Sequence, residues 1–174
     1  MSDTTPAQST PGAGQAQPLT VNIQYVKDLS FEVPNAPEIY TTLRSQPNVN
    51  INLDVQARRI QDGADVFEVI LQIKAEATEP SAAPTNGSAN GDGNANSKPV
   101  FIAELAYAGV FTLAGVAEEA VEPILLVECP RLLFPYARNI LADVTRDGGF
   151  PPVLLQPIDF VALWQSRRAQ TANA

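Results

Sequence analysis

The chain has 174 residues, 45% of them hydrophobic, a formal net charge of −8, one cysteine and no histidine. That length and apolar share fit one domain with a real core, and the acidic balance works against binding to phosphate backbones or anionic lipid surfaces. The missing histidine removes the commonest general base and metal ligand, and a lone Cys129 excludes an internal disulfide framework or a cysteine metal site within one chain.

Residues 1–19 are rich in Pro, Gly, Gln, Ser and Thr and read as a disordered arm. They carry no basic start and no apolar stretch, so no secretory signal is expected and a cytoplasmic location is the default. No apolar run approaches the ~18–20 residues of a membrane span, so no direct membrane insertion is expected.

Four stretches then alternate with period two, as half-buried strands do. In the first, strict alternation puts Val21, Ile23, Tyr25, Leu29 and Phe31 on one face. Asn22, Gln24, Asp28, Ser30 and Glu32 fall on the other. In the second, Val49, Ile51, Leu53 and Val55 oppose Asn48, Asn50, Asn52 and Asp54. In the third, Phe67, Val69, Leu71 and Ile73 oppose Glu68, Gln72, Lys74 and Glu76. Residues 78–99, rich in Asn, Gly, Ser and Pro, predict a flexible linker inside the domain. In the fourth stretch, Phe101, Ala103, Leu105, Tyr107 and Phe111 oppose Ile102, Glu104 and Ala106. One apolar and one mostly polar face predict an antiparallel sheet covered on one side.

Helices come next. Glu118 to Val127 has helical character but is interrupted by Pro123. Leu133, Ala137, Ile140, Leu141 and Val144 recur at helical spacing, with Pro135 suited to a first turn and Gly148-Gly149 to a stop. A last helix starts from Asp159 as cap and carries Phe160, Leu163 and Trp164 on one side. Strands followed by helices predict an α+β fold, a four-stranded antiparallel sheet with helices packed on one face. The domain spans 20–166, with 167–174 as a short tail. A thin core, with Leu132, Phe134 and Tyr136 outside the main helical stripe, predicts a subunit partner.

The chemistry-bearing residues point away from catalysis. Cys129 precedes Pro130 after an apolar run and has no histidine to activate it, so it reads as a buried structural thiol. Asp28 and Glu32 share a strand face but lie about 13 Å apart at ~3.3 Å per residue, too far for paired glycosidase carboxylates at ~5–9.5 Å. Their spacing leaves a docking face and a plainly solvated face both open. Glu118, Glu119, Glu122 and Glu128 fit the acidic start of a helix better than a metal site. No Walker or GxGxxG loop is present, so no nucleotide cofactor is expected. The apolar, Pro-rich run after Gly149 could wall a groove for extended peptide.

Three segments carry a resemblance. Tyr25–Pro37 (YVKDLSFEVPNAP), Leu133–Arg138 (LFPYAR) and Gly149–Phe160 (GFPPVLLQPIDF) are similar, in the same order, to signatures of the SecB family of export chaperones. The resemblance implies an ATP-independent chaperone that holds unfolded precursor proteins and delivers them to the SecA motor, with no cofactor and no nucleic acid. It implies a homotetramer built as a dimer of dimers. SecA docking falls on Asp28, Glu32, Ile102 and Glu104. A client groove, bordered by the loop from Pro34 to Pro47 and by the helix-connecting loop, falls on Ile39, Tyr40, Leu43, Phe150, Val153, Leu154, Leu155 and Trp164. Two departures stand out: the family joins its third and fourth strands by a short turn, and its C-terminal tail, which helps hold SecA, is here short and free of acids. The rival reading from another class is a carrier of a small apolar ligand or lipid.

Overall fold

The computed structural model describes residues 18–80 and 98–172. Residues 1–17 of the expected N-terminal arm and 81–97 of the expected linker lie outside these residues, while Leu19, Thr78 and Pro99, at the expected bounds, belong to strands instead. Four strands, β1 (Leu19–Glu32), β2 (Asn48–Arg59), β3 (Val66–Thr78) and β4 (Pro99–Leu113), form one antiparallel sheet in the order β1-β4-β3-β2. Strands β3 and β4 are neighbours, and the Glu79 N–H bonds the Lys98 carbonyl at 3.0 Å where the described chain resumes. A short α1 (Ile39–Thr42) sits between β1 and β2.

The alternation expected for β2, β3 and β4 holds residue for residue. On β3, Phe67, Val69, Leu71 and Ile73 are at most 5% exposed. Their β4 partners on the same face, Phe111, Tyr107 and Leu105, are buried with them. Against this face pack Leu133, Ala137 and Leu141 of one helix and Phe160 of another. Each such buried Leu or Phe contributes ~1.5–3 kcal/mol relative to exposure, the main force holding helices to sheet.

β1 departs from strict alternation. Its pairing with β4 shifts between Val21 and Ile23 and again between Val26 and Asp28. Each bulge inserts one unpaired residue and reverses the facing of the strand beyond it, until the next bulge restores it. Ile23 and Tyr25 therefore stand on the outer face, opposite the expectation, and Gln24 takes an inner place, where its carbonyl accepts from the Tyr107 hydroxyl. Asp28, Ser30 and Glu32 remain outward, and Leu29 and Phe31 inward, as expected.

The helical run is longer than expected. α2 (Glu118–Pro123) passes through a π-helical turn (Ile124–Glu128) into α3 (Cys129–Asp147) without a break. Pro123 and Pro130 bracket the wide turn. Each lacks the N–H that an α-helical ladder needs, so the backbone widens there and continues. Pro130, not Pro135, occupies the first turn of α3, because buried Leu125, Val127 and Cys129 carry the apolar stripe upstream. Gly149 adopts φ +86°, a conformation other residues avoid, and ends α3 with its N–H on the Arg146 carbonyl. Buried Thr145 then accepts the Val153 N–H at 3.0 Å, tying the following loop to the helix.

α4 (Phe160–Ala172) begins as expected, with the Asp159 carboxylate accepting the Val161 and Ala162 N–H groups at 3.0 Å. It runs past the expected boundary at 166. Arg167 reaches round edge strand β2 to donate to the Val55 carbonyl at 3.0 Å and to pair with Asp54. No helix among the described residues is long and apolar enough to cross a membrane.

Candidate functional site

The outer sheet face carries the four expected docking residues together. Asp28 pairs in register with Ala106, Ser30 with Glu104, and Glu32 with Ile102. These six side chains form a two-strand block on the face turned away from the helices. Asp28, Glu32 and Glu104 are exposed and Ile102 is half-buried. Glu104 is bound to Lys74 at 3.1 Å, and the same ammonium lies 3.0 Å from Glu76. Asp28 and Glu32 form no ion pair with another described residue. A shallow depression of about 310 Å³ runs from Asp28 past Ala106 and Glu104 to Lys74, Gln72, Asn52 and Asp54. The block thus offers two unpaired carboxylates, a third shared with a lysine, and one apolar contact.

Farther along the same face lies a residue that the strand pattern marks only as an outward side chain. Glu68 is 2% exposed. It accepts from the Tyr25 hydroxyl, from Lys27 Nζ at 2.8 and 2.9 Å on its two oxygens, and from Arg58 Nε at 2.6 Å. Burial pushes its carboxyl up, but the hydrogen bonds from Lys27, Tyr25 and Arg58 outweigh that and hold it at about 2. No signal within β3 reveals this cluster, because the donors come from two other strands.

The other side of the sheet carries apolar clefts. One, of about 290 Å³, lies between the loop before β2 and the loop after α3, lined by Gln46, Pro47, Val49, Phe101, Pro151, Pro152 and Val153. A second core of Ile39, Ala77, Val100, Phe101 and Phe150 underlies this region, with Leu43 and Val153 packed against it. Tyr40 stacks on Phe150 at 5.3 Å between ring centroids and donates to the Gly148 carbonyl at 2.8 Å.

The eight expected groove residues do not share one cleft. Val153 lines the cleft directly, and Ile39 and Phe150 are buried in the core beneath it. Burial alternates along the loop after α3, leaving Leu154 59% exposed and sending Leu155 into the main core. Trp164 lines a separate cleft of about 450 Å³ with Val55, Leu126, Leu163, Glu122, Arg167 and Arg168. There its indole N–H donates to Glu122 at 3.0 Å and Arg168 lies over its ring. Phe101 and Val49 escaped the sequence reading because their strand pattern marks them only as core-facing.

Cys129 is fully buried, and burial together with Glu128 pushes its thiol up to about 12, which keeps it protonated and fits a structural thiol.

Residues 12–171 match the family model described as preprotein translocase subunit SecB. The protein-export protein SecB of Acidiphilium cryptum is 67% identical over 156 residues, covering 90% of this chain and 92% of the relative. That of Gluconacetobacter diazotrophicus is 59% identical over 177 residues, covering 99% of each. Among solved structures, a Mycobacterium tuberculosis SecB-like chaperone, in complex with a ChAD peptide from an antitoxin, has a TM-score of 0.60 at 14% identity. It covers 81% of this chain and 91% of that one, a likeness of fold alone. With a match over nearly the whole chain and close relatives at this identity, the chain belongs to the SecB family of protein-export chaperones.

Proposed function

We propose that the chain works as a homotetramer, a dimer of dimers, which holds unfolded precursor proteins in the cytoplasm without ATP and passes them to SecA. The observation that carries this reading is the division of labour between the two sheet faces. The helix side bears two open clefts with apolar walls, one between the loops around Pro47 and Val153 and one between β2 and the helices around Trp164, and such walls bind exposed apolar segments of an unfolded chain with little sequence preference. The outer side bears Asp28 and Glu32, unpaired, beside Ile102 and Glu104. That patch suits a short basic segment of a partner, and charge complementarity speeds encounter and fixes orientation.

Uncovered apolar surface supports the oligomer. Val21, Val26 and Leu29 lie on the helix side of edge strand β1 yet are 40–46% exposed, and Leu132 and Tyr136 of α3 are 42% and 55% exposed. The chain's own helices leave them uncovered, as expected of surface reserved for further copies.

The test is the double variant D28K/E32K. Neither side chain faces the core, so the variant is expected to stay folded and oligomeric and to suppress aggregation of a reduced, unfolded precursor. It is expected to lose SecA binding, because reversal replaces attraction with repulsion. Retained SecA binding with lost precursor holding would overturn the assignment of the faces. Co-purification of a small apolar molecule, with no precursor complex on gel filtration, would favour a carrier instead.

A further inference from the structure

Among the described residues, Glu68 is the one buried carboxylate. Its donor Tyr25 lies just upstream of the second bulge of β1, its donor Lys27 is the unpaired residue of that bulge, and Asp28 comes immediately after. Strict alternation would put Lys27 and Asp28 on opposite faces. The bulge lets Lys27 reach Glu68 across the outer face while Asp28 also points outward. A cation and an unpaired acid at adjacent positions therefore share one surface. Lys27 is the natural internal counter-ion for Asp28, yet its ammonium is held by both oxygens of Glu68.

We propose that Glu68 is a positioning residue for the docking face: it holds Lys27 away from Asp28, and so leaves the Asp28 carboxylate unpaired for a cation of the partner. The inference rests on the reading of Asp28 as a SecA contact. Arg58 serves the same arrangement. With its guanidinium 2.6 Å from Glu68, it adds a second cation that fixes the carboxylate. Without Glu68, Lys27 is released to pair with Asp28, and an arriving basic segment must displace it.

The experiment measures SecA affinity of the full chain by calorimetry at low and high salt. Glu68→Gln keeps the side-chain shape and an acceptor for Tyr25. It is expected to weaken SecA binding about three- to fivefold, the size of one exposed ion pair. The deficit should shrink at high salt, where surface charges are screened. The double variant K27M/E68Q is expected to recover the affinity of K27M, since the competing cation is gone. Oligomeric state and precursor holding should not change. Should E68Q fail to fold, Glu68→Asp serves in its place: it keeps the charge but is too short to hold all three donors, and its deficit should likewise vanish with Lys27→Met. A folded E68Q that binds SecA like the parent would overturn the proposal. So would a K27M/E68Q protein as weak as E68Q, which would make the loss structural. The D28K/E32K variant separates this from the underlying reading. If it loses SecA while E68Q does not, only the role of Glu68 fails; if it keeps SecA, the docking reading fails and the role of Glu68 with it.

Discussion

Replacing Gly148 with alanine tests whether the end of α3 is wedged against β1. An added Cβ would lie 2.1 Å from Cε1 and 2.4 Å from Cζ of Phe31. Carbon contacts settle at ~3.5–4 Å, so ring or helix end must shift by roughly 1.5 Å. The ring has little room, because Phe101 and Phe150 stand 5.5 and 6.4 Å from it between centroids. The helix end is held by the Val144 carbonyl on the Gly148 N–H and by the Tyr40 hydroxyl on its carbonyl. The backbone there, φ −72°, suits alanine, so the penalty is steric alone. Overpacking of this kind costs ~1–3 kcal/mol, and the loss of glycine's freedom in the unfolded chain returns ~0.4–1 kcal/mol. A net loss of about 1–2 kcal/mol is expected. At a urea dependence of ~2 kcal/mol per M, the midpoint falls by roughly 0.5–1 M. The measurement is urea unfolding followed by tryptophan fluorescence at one fixed protein concentration, since oligomers stabilise by mass action. An unchanged or raised midpoint would show that Phe31 slides aside freely and that the second core is not closed by this contact.

The buried ionisable groups give two further expected outcomes. The Cys129 thiol, pushed up to about 12, should ignore a thiol reagent at pH 8 in the native protein and react at once in denaturant; labelling of the native protein within minutes would refute its burial. The Glu68 carboxyl is held at about 2 against an ordinary 4.5. Because its folded value is depressed, its stabilisation is fully present above the unfolded value and is lost as pH falls from about 4.5 towards 2. That shift is worth about 3 kcal/mol, so urea midpoints taken from pH 6 to 3 should fall more steeply for the parent than for E68Q, and equal slopes would contradict the ties to Lys27, Tyr25 and Arg58.

Much of the molecule was legible in the residues alone. Three strands alternate so cleanly that every inward side chain of β2, β3 and β4 was assignable, because one buried face demands period two. The Asp159 cap, the Gly148-Gly149 stop and the outward Ile102 and Glu104 were likewise readable, since each depends on spacing within a single element, whereas Asp28 and Glu32 point outward as alternation predicts only because the two bulges of β1 cancel. Spacing could not deliver anything settled between elements. The strand order β1-β4-β3-β2 and the division of Trp164 and Val153 into different clefts depend on which loops meet. The passage of the helix through Pro123 is decided by packing of Leu125 and Val127 against the sheet, which outweighs the local break.

β1 shows the boundary most sharply. Its apolar residues fit strict alternation, which would send Ile23 and Tyr25 inward. That reading assumes every residue pairs with β4. Two bulges break the assumption, and Glu68, more than forty residues away in sequence, provides the reason: its buried carboxylate draws Tyr25 and Lys27 to the outer face. Local pattern thus determined which segments are strands and which residues can be inside. The direction in which the middle of β1 points was decided only in three dimensions, because a buried charge must be matched by donors from whichever strands can reach it.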